Sequence, residues 1–324
     1  MSDSEQRTKL NRFALGRQLT ALANTSPQEM LDKMPSDAAK HQAQRIGLTG
    51  APGSGKSTLG GQLAMHRLIR ESAVQRLGIL AIDPSSPKSG GAILGDRIRM
   101  DELPGSAELF IRSLGSRSTA DGLTDNLPEM LDLMDSFEFD EVLIETVGVG
   151  QVEYAVRLQV DTLVLVLLPN SGDMVQAMKS GIMEMPDIFV VNKSDLSGAD
   201  RTAADIERIT ALRKITKVQW HPQVLLVSNS KPESIVALSK EIDRHQNWLI
   251  TSGEQQKIQI DRARYRLRRI IERRVQQVID ELGDTDMKQA LPEQFEKVIS
   301  KLRGARNSIE CLAAKSGATP SGKG

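Results

Sequence analysis

The chain has 324 residues, and its 42 Lys plus Arg balance 42 Asp plus Glu, so composition offers no electrostatic case for nucleic acid or an anionic membrane. Cys311 is the sole cysteine and cannot form a disulfide within the chain, and no apolar run reaches the roughly 20 residues a membrane helix needs. The acidic start lacks the apolar core of a secretory signal and the arginines of a transit peptide, so the expected location is cytoplasmic, with neither membrane nor nucleic acid as partner.

Residues 1–43 read as an N-terminal helical extension. Leu10, Phe13, Leu15, Leu19 and Leu22 could share one apolar stripe. Ser26-Pro27-Gln28-Glu29 is a helix start, with a capping hydroxyl, Pro in the first turn and an acid three residues on.

The string Gly50-Ala51-Pro52-Gly53-Ser54-Gly55-Lys56-Ser57, followed by Thr58, has the spacing G-x-x-x-x-G-K-[ST]. Its glycines let successive N–H groups turn inward on a phosphate. Lys56 supplies charge for the β- and γ-phosphates, and the Ser57 hydroxyl can ligate Mg²⁺. Ile46 to Thr49 before it suit a buried strand; Leu59, Leu63, Ala64, Leu68 and Ile69 after it recur at helical spacing. Strand, glycine loop and helix together predict a phosphate-binding loop at a helix N-terminus.

Leu77 to Ile82 is the next strand, delivering Asp83 to the carboxyl edge of the sheet, where ligands bind in open α/β folds. Gly90-Gly91 through Asp96 read as a loop that orders around a nucleotide. Leu109 to Ile111 predict a brief strand, Arg112 to Asp125 a polar loop, and Pro128 to Phe137 a helix. Glu141 to Ile144 form a strand that presents Glu145-Thr146-Val147-Gly148, the pattern in which a carboxylate holds Mg²⁺ and a glycine N–H meets the γ-phosphate. Thr162 to Leu168 are a central parallel strand, Met174 to Met185 a helix, and Ile188 to Val191 a strand ending in Asn192-Lys193-Ser194-Asp195.

N-K-x-D at a strand end selects the base. The Asp195 carboxylate can accept from N1–H and the exocyclic amine of guanine, donors that adenine does not offer in that arrangement. Gln223 to Val227 are the last strand, and Ser228-Asn229-Ser230 stand where many GTPases present Ser-Ala to the base. Lys231 to Leu249 and Gln255 to Leu282 predict two helices, the second about 42 Å long. Ile260, Ala263, Leu267, Ile270, Val275, Val278 and Leu282 follow a heptad seam beside an Arg-rich face. A last helix runs through Phe295 to Leu302. The expected architecture is an α/β, mostly parallel P-loop NTPase sheet flanked by helices over 44–250, a C-terminal helical arm over 251–315 whose long helix could pair with a partner, and a flexible tail over 316–324.

Several longer strings go beyond the general GTPase pattern: Asp83-Pro84-Ser85-Ser86-Pro87, Leu94-Gly95-Asp96, Glu145 through Gln151, Gly181-Ile182-Met183-Glu184-Met185 and Asn192 to Asp195. In these the chain resembles the MeaB/ArgK family of P-loop GTPases, to which the methylmalonic aciduria type A protein belongs. The resemblance implies a GTP-hydrolysing chaperone that gates adenosylcobalamin loading and protects an adenosylcobalamin-dependent acyl-CoA mutase, typically methylmalonyl-CoA mutase. By matching position it implies Ser57, Asp83, Asp96 and Glu145 as the Mg²⁺ and switch set, and Asp173 and Lys179 in a further switch segment that responds to the mutase. It also implies a homodimer through the C-terminal helices. Cobalamin would be held by the mutase or an adenosyltransferase and would concern this chain only indirectly. Gln151, Asp83 and Asp96 are the candidates for orienting the attacking water, since no Gln directly follows Gly148. A nickel-inserting GTPase, a protein kinase of a transport system and a non-catalytic scaffold are the alternatives; the first wants clustered Cys and His, which this sequence scatters.

Overall fold

The computed structural model describes residues 8–33, 41–69, 74–84, 108–116, 123, 126–146, 151–170, 181–211 and 220–315, the side chains of 31–33, 83–84, 116, 151–152 and 304–315 excepted. Aliphatic runs form the strands β1 (Gln44–Thr49), β2 (Arg76–Pro84), β3 (Glu108–Ser116), β4 (Glu141–Thr146), β5 (Thr162–Leu167), β6 (Ile188–Val191) and β7 (Gln223–Leu226). They pair in parallel in the order β3-β2-β4-β1-β5-β6-β7. Parallel strands need crossovers, and helices supply them on both faces.

The period of two along β5 shows how both faces become core. Val164 and Val166 pack with Leu59, Leu63 and Leu68 of α3 (Lys56–Ile69). Leu165 and Leu167 pack with Ile206 of α6 (Ala199–Ala211). Each such buried aliphatic side chain contributes about 1.5–3 kcal/mol. The other described helices before residue 254 are α1 (Arg12–Ala23), α2 (Pro27–Lys33), α4 (Leu127–Ser136), α5 (Gln151–Arg157) and α7 (Pro232–Ser252). They are followed by α8 (Glu254–Asp280), α9 (Asp284–Met287) and α10 (Leu291–Lys315). No described helix is long and apolar enough to cross a membrane.

By contacts the chain divides into two units, Met1–Thr25 with Ser36–Arg262, and Ser26–Pro35 with Ala263–Gly324. The first holds the sheet. In the second, Lys297 of α10 pairs with Asp286 of α9, and Lys301 donates to the Glu281 carbonyl. The capping box expected at Ser26 forms: the Ser26 N–H donates to Glu29 at 3.4 Å, and the Glu29 N–H donates to Ser26 Oγ at 3.3 Å.

Several elements depart from the sequence expectation. β3 runs on through Arg112, Ser113 and Leu114 instead of turning to loop after Ile111. Arg112 is held at this sheet edge by the Gly16 carbonyl and Thr20 hydroxyl of α1, which absorbs a polar residue that had read as loop. Glu145 and Thr146 belong to β4 itself. Phe13 and Ile69, assigned to apolar stripes, are exposed; Leu10, Leu15 and Leu19 carry the buried side of the N-terminal segment. Of the heptad positions, Val278 is buried while Ile260 and Leu267 are more than half exposed. Helices α5 and α6 were not anticipated. The helix expected over Met174 to Met185 lies outside the described residues up to 180, and Ile182–Glu184 form a single 3₁₀ turn.

Two charged clusters brace the sheet. Arg67 of α3 is fully buried, donating to both carboxylate oxygens of Glu141 and, at 3.0 Å, to Asp243. Burial acts to lower its pKa, but the bond to Glu141 and the surrounding negative charge outweigh it and leave the guanidinium raised. At the amino edge, buried His245 meets Thr162 Oγ1 at 2.8 Å and lies 3.5 Å from Asp187, whose other oxygen accepts from Arg157. Trp220 and Trp248 pack on its ring at centroid distances of 4.6 and 5.8 Å.

Candidate functional site

The carboxyl ends of β1, β4 and β6 converge on one loop. Gly50 leaves β1 at φ 142°, and a Cβ there would lie 2.1 Å from the Val166 carbonyl oxygen, so only glycine fits between β1 and β5. Gly53 and Gly55 follow at φ 78° and 87°. α3 then opens with the Leu59 N–H donating to the Gly55 carbonyl at 2.9 Å. The geometry is that of a phosphate loop: a tight turn whose amides lead into a helix N-terminus with positive potential.

Lys56 is buried, its ammonium donating to the carbonyls of Gly50 and Ala51 at 2.8 Å each and to Ser54 Oγ at 3.4 Å. These bonds hold the charge inside the turn. Ser57 Oγ donates to Glu145 Oε1 at 2.5 Å, a short charge-assisted bond that joins the first turn of α3 to the end of β4. Alternation explains this meeting. Leu48 pairs with Glu145 in register, so both side chains face α3, while Thr49 and Thr146 face the opposite side. A hydroxyl and a buried carboxylate form a hard-oxygen pair of the kind that suits Mg²⁺. Asp83 occupies the carboxyl end of β2 in register with Gly115, one residue past the pair Ile82 and Thr146. Thr58 lies in the first turn of α3, half-buried.

The N-K-x-D segment packs directly on this loop. Asn192 is buried, and its Nδ2 donates to the Ser54 carbonyl at 2.8 Å. A Cβ on Gly55 would lie 2.5 Å from that same nitrogen. Asn192 Oδ1 is buried without a hydrogen-bond partner among the described residues. Lys193, at φ 54°, lays its ammonium 3.2 Å from the Gly53 carbonyl. Asp195 is exposed and accepts from Ser228 Oγ at 2.5 Å. That bond, ahead of the nearby lysines, holds its carboxyl below the usual range, so it stays an acceptor. Ser228 Oγ also lies 2.8 Å from Ser230 Oγ, and Asn229 is exposed in the turn between them. Ser228 thus keeps the serine of the Ser-Ala pattern and orients Asp195, with the Ser230 hydroxyl beside it.

Residues 15–283 match the family described as methylmalonyl-CoA mutase-associated GTPase MeaB. The chain belongs to the MeaB family. It is a P-loop GTPase, related to the methylmalonic aciduria protein. A mouse mitochondrial methylmalonic aciduria type A homolog is 39% identical over 214 residues, 65% of this chain and 51% of that protein. The GTPase ArgK of Escherichia coli is 36% identical over 219 residues, 66% of this chain and 65% of its own length. A Pyrococcus horikoshii protein named as a GTPase is 36% identical over 258 residues, 77% of this chain and 78% of its own. Among solved structures, a LAO/AO transport system kinase superposes with a TM-score of 0.63 at 24% identity, covering 90% of this chain and 94% of that one. This likeness speaks to the fold alone.

Of the residues singled out in the sequence, the structure brings Gly53, Ser54, Gly55, Lys56, Ser57, Glu145, Asn192 and Lys193 together around one loop, and joins Asp195 to Ser228 beside it. Gln151 opens α5, its side chain undescribed like that of Asp83. Asp96, Gly148, Asp173 and Lys179 lie outside the described residues. Sequence reasoning missed Thr49, Thr146 and Glu153, buried beneath the loop on the face away from α3. The signal was present: Glu153, Val156 and Val160 recur at helical spacing, an acid on an otherwise apolar stripe.

Proposed function

We propose that this MeaB-family GTPase is a chaperone of an adenosylcobalamin-dependent acyl-CoA mutase, methylmalonyl-CoA mutase in the first instance, coupling GTP hydrolysis to cofactor loading and mutase protection. The observation that carries this is the match to the mutase-associated family from residue 15 to 283, a span that includes the phosphate loop, the Glu145 strand end and N-K-x-D. Adenosylcobalamin is held by the mutase or an adenosyltransferase and concerns this chain only indirectly, through the partner. Cytoplasmic location follows the same reading.

In this reading Gly53 to Thr58 cradle the phosphates through backbone N–H groups, and Lys56 turns its ammonium from the loop carbonyls to the β- and γ-phosphate oxygens. Asp195, oriented by Ser228, accepts from guanine, with Asn192, Lys193 and Asn229 around the base. Ser57 and Glu145, joined by Asp83 and Asp96 of the sequence pattern, would hold Mg²⁺, which would supply positive charge beside the phosphates. Water attacks the γ-phosphorus in line with the departing GDP oxygen, oriented by Gln151, Asp83 or Asp96, while the loop amides and Lys56 stabilise the charge on the phosphoryl oxygens. The Gly148 N–H meets the γ-phosphate, and Asp173 and Lys179 belong to a segment that answers the mutase. Exposed Leu267 and Ile271 of α8 and Leu291 and Phe295 of α10 support a homodimer through the C-terminal helices.

The test is steady-state GTP turnover by the purified protein with and without methylmalonyl-CoA mutase, with ATP and Lys56→Ala as controls. A slow intrinsic rate that the mutase raises, absent with ATP and in Lys56→Ala, is the expected result. Turnover indifferent to methylmalonyl-CoA mutase would mean that the partner is a different acyl-CoA mutase or that the chain carries the family's fold without its function.

A further inference from the structure

Helix α5 crosses β1 at Gly47, where a Cβ would lie 3.1 Å from Cγ1 of Val156 in the helix and 3.2 Å from Cγ1 of Val160, three residues past its end. The helix runs antiparallel to the strand. Two residues further along the same strand face stands Thr49, and three residues back from Val156, just under one turn of the helix, stands Glu153. They meet: Thr49 Oγ1 donates to Glu153 Oε1 at 3.3 Å, and Thr146 Oγ1 donates to Thr49 Oγ1 at 3.2 Å. Thr49 and Thr146 are fully buried and Glu153 is 1% exposed.

Thr49 donates to the Glu153 oxygen and Thr146 donates in turn to Thr49, so the two hydroxyls and the carboxyl group form one directed chain of bonds. The three residues stand at consequential points. Thr49 immediately precedes Gly50 of the phosphate loop, and Thr146 immediately follows Glu145, which is itself bonded to Ser57 on the other face of the sheet. Beneath the loop, therefore, one carboxylate holds the ends of β1 and β4 to each other.

We infer that Glu153 is a positioning residue of the GTPase reaction: acting through Thr49 and Thr146, it sets the phosphate loop of β1 against the Glu145 carboxylate of β4. It touches none of the reacting atoms. Its effect falls on the alignment that hydrolysis needs rather than on the loop's grip on GDP, because the loop's own turn is held separately by Lys56, Asn192 and the close approach of Gly50 to Val166. This goes beyond the mutase reading and does not depend on it.

The experiment is single-turnover hydrolysis of GTP by the full chain and its Glu153→Ala, Glu153→Gln, Thr49→Val and combined Thr49→Val/Glu153→Ala variants, with GDP affinity measured on the same preparations. Glu153→Ala and Thr49→Val are expected to slow the step about tenfold while GDP affinity stays within about twofold. Glu153→Gln keeps an acceptor oxygen and is expected to recover most of the rate, and the combined variant to be no slower than Glu153→Ala, as for two members of one chain. Folded Glu153→Ala protein that hydrolyses GTP at the parental rate overturns the inference, as does a Gln variant as slow as the Ala one or a combined variant whose losses multiply. Should Glu153→Ala not fold, Thr49→Val decides, since valine keeps the shape and loses only the hydroxyl: an unchanged rate there overturns the inference, and a slowed rate with GDP affinity intact upholds it.

Discussion

Asn192 Nδ2 donates to the carbonyl oxygen of Ser54 across 2.8 Å, so the strand end proposed to read the base is bonded to the loop proposed to hold the phosphates. Breaking it leaves a buried carbonyl without its donor, a cost of about 1–3 kcal/mol. Asn192→Ala is therefore expected to weaken GTP, GDP and pyrophosphate alike, by about ten- to a hundredfold, in calorimetric titrations. Asp195→Ala should weaken the two nucleotides and leave pyrophosphate unchanged. If Asn192→Ala spares pyrophosphate, the contact does not shape the loop.

Base selection is expected to reside in Asp195. Replacing the carboxylate with the carboxamide of Asn exchanges one acceptor for a donor, which faces the donors of guanine and instead complements the C2 carbonyl of xanthine. Asp195→Asn should lower GTP affinity about a hundredfold or more and raise that for xanthosine triphosphate, measured by competition against a fluorescent nucleotide. Equal loss of both would place base selection elsewhere.

Arg67 and Glu141 form a buried ion pair joining α3 to β4. Removing one partner strands the other charge, so Arg67→Ala should cost about 3–5 kcal/mol in urea unfolding. Arg67→Met with Glu141→Leu removes both charges and should restore most of that loss, since the desolvation of the pair disappears with it. A double variant no more stable than Arg67→Ala would contradict this account.

His245 makes stability depend on pH in a stated direction. Burial penalises the imidazolium and is the largest influence, against the attraction of Asp187, so the folded-state pKa lies below the ordinary 6.5. The unfolded chain then binds more protons than the folded one between those two values. Stability from this residue is full above about pH 6.5 and falls as the pH drops below it. The gap in urea midpoint between pH 8 and pH 5.5, followed by circular dichroism, should shrink in His245→Gln. An unchanged gap would assign the acid sensitivity to other groups.

The nucleotide-facing half of the fold was readable because its signals are local. Gly50, Gly53 and Gly55 stand where the loop needs positive φ, and each aliphatic run before a polar residue marks a strand ending at the carboxyl edge. What escaped was tertiary. Nothing near Asn192 indicates that its amide braces Ser54, which lies 138 residues away. Arg112 to Leu114 read as loop because the charge of Arg112 is answered only by α1, nearly a hundred positions earlier in the chain. Arg67 sits at the spacing of Leu59 and Leu63, a charge within an apolar stripe, and only the packed structure supplies Glu141 as its counterpart.

Both tryptophans of the chain, Trp220 and Trp248, pack around His245 where β5 and β6 begin, whereas the phosphate loop leaves from where the parallel strand β1 ends. A strand of six residues separates the two edges by about 20 Å. Intrinsic fluorescence of this protein is thus an optical channel pointed at the far end of the sheet. An indole emission change on adding GTP would not be a contact signal from the nucleotide; it would be light from a displacement carried along β5 and β6, visible without attaching any dye.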